Sequence, residues 1–556
     1  MVANPSSSQS FTQPDGLTTN HAKPNGIKLT DEQVRRFICD GVVLLQSSLP
    51  PEVHQDIYDK LHWSSQHEFN MGNNVLPRVA ELQQVLDDPV VHGGVQSVLG
   101  DDYIFHPHRF MHVAEPLAEA ERDLSLVGDE HGPPMGEGSS ANSAWHQDGQ
   151  IPKGRTRWHL PRIAMILYFP QDTPMERGPT RVIPGTQMQP FVQKDDHAFA
   201  FVGDHIKAGT CFLIHFDIAH AALSNRTDST RYMLKFIYLR RSHPQAPSWD
   251  GGEVAWKPPE TRLGRYDHSR AWSHVWDWMR GAPRVDTPAT ADDIQKWMGS
   301  LNVVDQAARL EAIYGLAGVG ADAIGPLMES LLGNAGQDRH FARPYHKNVA
   351  GAFVPIDDIN DRRFSDHAFV PQDEAYALGA MGEVAVPALL ELLKHDDTWM
   401  KLNAIYALGE VGPPAACAVP ELAKLLDHEL HQVARVSLDA MAFIGTNIRA
   451  ALPAIRKLLT VDNPTWRETD PKRWSGQIQA RFNALCALLN SDIPVDELDD
   501  LLVTCLDDES AYVHAMALEA LTQGRDGEDR PGLRHALDYL MTHRWDHMLA
   551  NGKRVF

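Results

Sequence analysis

TCFLIHFDIAHAALSNRTDSTRYMLKFIYL, residues 210–239, decides how the chain is read. Two apolar runs rich in Ile, Phe, Tyr and Leu flank the polar stretch SNRTD, the pattern of two strands joined by a turn. His220 ends the first run and Arg231 opens the second, so the two are expected to face each other across a hairpin. Towards the N-terminus, YIFHPHRFMHV, RIAMILYFP and TRVIPGT have the same strand character, and residues 103–240 read as an antiparallel all-β sandwich or barrel. The stretch 115–143, rich in Gly, Pro, Ser and acidic residues, interrupts it with a loop of the length found in lids and disordered segments. Further upstream, LTDEQVRRF offers Thr30 as an N-cap with Gln33 three residues on, a capping box; GVVLLQ reads as a strand, and a helix should follow Pro50 and Pro51. Residues 1–27 have the composition of a disordered tail.

Downstream, residues 246–300 hold Trp249, Trp256, Trp272, Trp276, Trp278 and Trp297, with SRAWSHVWDWMRG as a helix, and read as a connector packed on the β core. From 301 to 556 the chain repeats. YGLAGVGADAIGPLMESLL, YALGAMGEVAVPALLELL, YALGEVGPPAACAVPELAKLL and MAFIGTNIRAALPAIRKLL each give an Ala-rich helix, a Gly, and a second helix containing Pro and filled with Leu. Pro387, Pro420 and Pro453 are spaced by 33 residues, the period of a helical solenoid in which stacked pairs bury what one pair cannot. The longer step from Pro326 marks an insertion near 333–372, loop-like and rich in Arg and His, which could reach over a site as a lid.

Acidic residues outnumber basic ones, 73 against 51, and the net charge of −22 argues against nucleic acid or an anionic membrane as partner. No apolar run is long enough to span a bilayer, and a cytoplasmic location is the expectation. The five cysteines are scattered, giving neither a disulfide framework nor a thiolate metal site.

Two imidazoles and one carboxylate on one face hold Fe(II) while leaving adjacent positions open for a bidentate co-substrate and dioxygen. His-x-Asp occurs four times, so context must separate the candidates. His54 and Asp56 lie in an amphipathic helical pattern, where residues two apart diverge. His395 and Asp397 fall in a polar turn between repeat helices. His146 and Asp148 lie in SAWHQDGQIP, an extended stretch, where residues two apart share a face. His215 and Asp217 are also in a strand, but have no clear third histidine downstream. The favoured set is His146, Asp148 and His220, with Arg231 eleven positions after His220 to take a distal carboxylate.

WHQDG, ERGPTRVIPGT and HAALSNRTDSTRYMLKF together resemble the phytanoyl-CoA dioxygenase-like family, over about residues 29–245. The resemblance implies a double-stranded β-helix (jelly-roll, cupin-like) domain at 28–245. It also implies Fe(II), 2-oxoglutarate and O2, with His146, Asp148 and His220 as ligands, Arg231 on 2-oxoglutarate and Gln147 contacting the co-substrate. Many relatives have a Gly-Ser pair where this chain has Ala221 and Ala222. A retained Asp148 points to hydroxylation rather than halogenation. His106, His108 and Arg109 are candidates for lining the pocket. The repeats resemble HEAT-type and phycobilisome lyase-like units. Three readings stay open: a hydroxylase of a small molecule; an oxygenase whose protein- or carrier-bound substrate docks on the repeats; and a non-catalytic binding protein. The repeats themselves are expected to bind a partner, self-associate or buttress the oxygenase.

Overall fold

Thr30 caps helix Asp31–Asp40 through the expected box with Gln33, and Gly41, at φ 72°, turns the chain into the first strand. The computed structural model describes residues 25–68, 73–122, 145–148, 155–156, 158–190, 192–203, 205–340, 362, 364, 368–466 and 475–522. Most of the proposed tail, most of the long loop after the second strand and the middle of the insertion lie outside them.

Seven strands build the N-terminal core: β1 (Val42–Gln46), β2 (Ile104–Ala114), β3 (Ile163–Phe169), β4 (Thr180–Ile183), β5 (Thr210–His215), β6 (Ala219–Ala222) and β7 (Arg231–Leu239). Five of them form one antiparallel sheet in the order β1-β5-β3-β7-β2. β4 and β6 form a second, small sheet that is widened by bridges from His146 to His220 and from Val182 to Phe201. Two facing antiparallel sheets of this connectivity are a double-stranded β-helix.

One expectation is corrected here. His220 does not end the strand that contains His215, and it does not face Arg231 across a hairpin. The run breaks at Phe216–Ile218, where Ile218 N–H returns to the His215 carbonyl and the Asp217 amide donates to His215 Nδ1. The chain thereby crosses from the large sheet to the small one, and His220 faces β7 across the interior.

Register then sorts side chains. Phe110, Lys235, Leu167 and Phe212 are matched across β2, β7, β3 and β5, so they form one inward row. The outer face is covered by helix Pro51–His67, whose His54 and His62 bond Tyr168 and Tyr232 hydroxyls at 2.8 and 2.9 Å.

Behind the core lie the repeats. Helices Gln306–Val319, Asp373–Ala380, Thr398–Val411, His431–Ile444, Gly476–Leu489 and Ala511–Thr522 stack in succession, and each sends a residue onto the β core. Tyr314 bonds His159 at 2.9 Å, Tyr376 stacks on the same ring at 4.5 Å, and Glu410 pairs with Arg162 at 3.1 Å. Phe443 meets Trp158, Phe482 meets His106, and the Tyr512 hydroxyl bonds His108 at 2.9 Å. The array's inner face is therefore occupied by the chain's own β domain. Where the insertion is described, Ala368–Phe369 pairs in parallel with Arg155–Thr156, just beyond the His146 segment. Among the described residues, no helix is long and apolar enough to cross a membrane.

Burial also leaves a pH signature. His268 is fully buried against Gln189 at 2.8 Å, and burial pushes its imidazole down to about 4; His274 is lowered to about 4 by burial and by Arg284. Each takes up a proton more readily when unfolded. Their contribution is complete above pH about 6.5 and declines as pH falls towards about 4, by roughly 1.4 kcal/mol per pH unit for each. Urea melts across that interval should show it, and His268→Gln should flatten the slope by the share of one proton.

Candidate metal centre

His146 and His220 exchange both backbone hydrogen bonds, at 3.1 and 2.9 Å, and this places their rings side by side with centroids 4.3 Å apart. Asp148, two residues along the same extended segment, shares the face of His146. Its Oδ1 is 4.0 Å from His146 Nε2 and its Oδ2 is 3.6 Å from His220 Nε2. One ligand atom from each of the three residues lies within 4.8 Å of the others, and among the described residues no other group of three or more His, Cys, Asp or Glu side chains converges in this way.

The surroundings prepare these donors. The Ile218 carbonyl, 3.1 Å from His220 Nδ1, takes the proton there and leaves Nε2 with its lone pair towards the site. Burial first, then His146 and Lys235, lower the His220 imidazole to about 3, so it is neutral at physiological pH. Burial raises the Asp148 carboxyl, but Lys235, His220 and His146 outweigh it and hold the group well below the usual carboxylate range. The neutral His220 imidazole, the His146 imidazole and an ionised carboxylate on one face are a donor set that fits a divalent ion.

Arg231 enters the same interior from the start of β7. It is 2% exposed, and its Nε donates to the Gly178 carbonyl at 3.1 Å. Burial and the neighbouring Arg177 lower its guanidinium to about 10, still charged at neutral pH.

Gln147 does not join the site. Alternation turns it to the opposite side, where it is 1% exposed and its Nε2 donates to the carbonyls of Thr186, Gln189 and Asp217 at 3.1, 3.3 and 2.9 Å. Its amide ties the His146 segment to the turn that carries His220. The rival motifs also find structural roles: Asp217 accepts from the Trp158 amide, and Asp397 caps helix Thr398–Val411.

Of the expected pocket residues, only His108 looks towards the centre, on the face of β2 that carries Phe110. Arg109 lies over the Phe105 ring at 4.3 Å, and His106 packs on the repeats. The Arg109 amide donates to Asn73 Oδ1, which fixes Asn73 Nδ2 as donor to the Tyr512 hydroxyl at 3.0 Å. The Tyr512 hydroxyl then donates its hydrogen bond to His108 Nδ1 at 2.9 Å. Burial and Lys235 lower His108 to about 3, so the ring is neutral and carries its one proton on Nε2.

Lys235 escaped the sequence reading. It is 4% exposed, with Nζ 2.7 Å from Asp148 Oδ2. A signal was present: a lysine four residues after Arg231 in an apolar strand shares its face.

A jelly-roll interior with this triad defines the class of non-haem iron, 2-oxoglutarate-type oxygenases. Residues 37–233 match the family model Phytanoyl-CoA dioxygenase (PhyH), residues 386–469 that of HEAT repeats and residues 375–395 that of the PBS lyase HEAT-like repeat, so the chain carries a PhyH domain followed by HEAT repeats. Similar solved structures include the non-heme monooxygenase ThoJ in a nickel complex, 18% identical over 42% of this chain and 91% of that one, with a TM-score of 0.26. The alpha-ketoglutarate-dependent carbocyclase SnoK is 15% identical over 47% of this chain and 94% of its own, with a TM-score of 0.28. AviO1 from Streptomyces viridochromogenes Tue57 is 13% identical over 39% and 96%, with a TM-score of 0.26. No curated protein sequence matches the chain.

Proposed function

We propose that residues 28–245 are an Fe(II)- and 2-oxoglutarate-dependent hydroxylase that oxidises an unactivated C–H bond of a small molecule, with release of succinate and CO2. The carrying observation is the convergence of His146, Asp148 and His220, within 4.8 Å of one another, in an interior that Arg231 also enters. In this reading the three side chains hold Fe(II) and Arg231 seats the distal carboxylate of 2-oxoglutarate. When bound, the iron supplies the activation of dioxygen coupled to decarboxylation of the co-substrate.

The chain's own contribution is position and exclusion of water. The Ile218 carbonyl orients His220, the Gln147 amide anchors the segment that bears the other two ligands, and Phe110, Leu167 and Phe212 give the wall beside Lys235 an apolar lining. His108 offers Nε2–H as a neutral donor on the wall. A small-molecule substrate is favoured over one docked on the repeats, because the inner face of the array is covered by the β domain. The connector at 246–300 and the array at 301–556 then serve to hold that domain.

Anaerobic addition of Fe(II) and 2-oxoglutarate to the full chain should give a metal-to-ligand charge-transfer band, and its absence would favour a non-catalytic binding protein. With the band in hand, a metabolite screen that follows succinate release identifies the substrate. Arg231→Met should keep the band but raise the 2-oxoglutarate concentration for half-saturation by about 30-fold, the equivalent of about 2 kcal/mol for a buried charge-assisted bond. A shift under about threefold would remove Arg231 from the co-substrate site.

A further inference from the structure

Lys235 and a divalent ion draw on the same carboxylate. Nζ is 2.7 Å from Asp148 Oδ2 and 3.4 Å from His220 Nε2, whereas the other carboxylate oxygen, Oδ1, faces His146. Phe110 and Leu167 are its partners on the two neighbouring strands. An ammonium among apolar neighbours is costly to keep unless it is paired, and Asp148 is the partner it has.

We propose that Lys235 is a positioning residue of the metal centre: it engages Oδ2 of Asp148 so that one oxygen is offered to the ion and a coordination position stays open for the co-substrate. The inference rests on the metal-centre reading above. It has two consequences of opposite sign. The ammonium repels a dication at close range and withholds a ligand oxygen, so it weakens metal binding. It also prevents the carboxylate from closing over a second position and adds positive charge for an incoming dianion, so it strengthens binding of 2-oxoglutarate. A lysine that only supported the fold would, on replacement, weaken both.

The test uses the full-length protein, with Mn(II) as the metal probe and then 2-oxoglutarate added to Mn(II)-loaded protein, both by calorimetry. Lys235→Met should bind Mn(II) at least about tenfold more tightly and 2-oxoglutarate at least about tenfold more weakly than wild type. Lys235→Gln, which keeps a hydrogen-bond donor without the charge, should move both affinities the same way by less, and it carries the test if the methionine variant does not fold. The proposal is overturned if both affinities fall together or neither moves. His220→Ala separates this from the reading beneath it: that variant must lose Mn(II) binding, and if it binds as wild type does, the metal centre itself is misplaced whatever Lys235 does.

Discussion

Replacing His220 by alanine is expected to abolish metal binding and to lower turnover by about a thousandfold or more. His220 is the cleanest of the three positions to test. Removing Asp148 would also strand the Lys235 ammonium, 2.7 Å away and 4% exposed, and a buried charge deprived of its partner costs about 3–5 kcal/mol. Loss of metal in that variant would be hard to tell from loss of fold. His146 keeps its backbone bridge on substitution, but its side chain is 29% exposed and less enclosed than that of His220, at 4%. His220 instead lies within β6, whose backbone pairing to β4 does not depend on its side chain, and the imidazole is neutral at physiological pH. The variant should keep its secondary structure and melting temperature within a few degrees, bind no Fe(II) by elemental analysis, and show no charge-transfer band with 2-oxoglutarate. His215→Ala is the matched control, since it removes the histidine of the rival motif from the outer face of the same turn. It should cost stability and leave the metal in place. Metal retained in the first variant and lost in the second would transfer the centre to the other motif.

Strand alternation is local, and two residues apart in an extended segment means one face; His215 and Asp217 share that pattern, so the choice of His146 and Asp148 also needed His220 downstream and the family resemblance. The capping box at Thr30 and the 33-residue proline spacing were legible for the same reason, each being a pattern inside one element or one repeat. Most of what escaped was set by contacts between distant segments, with one local break as the exception. The break at Phe216–Ile218 is stabilised by His215 Nδ1 accepting from the Asp217 amide, in a run whose apolar composition reads as one unbroken strand. The place of Gln147 depends on where the Thr186 and Asp217 carbonyls lie, and those belong to turns far from it in sequence. Nor does any local pattern say that the six first helices of the repeats face the β core, since Tyr314 and His159 are 155 residues apart and Arg162 and Glu410 are 248 apart.

A chain ending at residue 300 is expected not to hold the β core as a soluble, metal-binding unit. Arg162 is 4% exposed in the whole protein and, on truncation, loses both Glu410 and the Gly409 carbonyl. Glu410 itself is raised by burial, with Arg162 opposing, as befits a carboxylate whose partner is this guanidinium. Trp158, 2% exposed, His159, 4% exposed, and His106, fully buried, would all be laid open along one side of the core. A domain of ordinary stability has about 5–15 kcal/mol in hand, and the loss of the ion pair together with several buried aromatic contacts consumes most of it. The truncated chain should therefore collect in the insoluble fraction, whereas full-length Glu410→Gln, which keeps a hydrogen-bond acceptor for Arg162, should stay soluble with a lowered melting temperature. Co-expression of residues 301–556 should recover part of the soluble N-terminal domain, because the missing surface is supplied in trans. If the truncated chain were instead soluble and bound Fe(II) with wild-type affinity, the array would be a separable module with a free inner face. A substrate docked there would then regain its place as the leading reading.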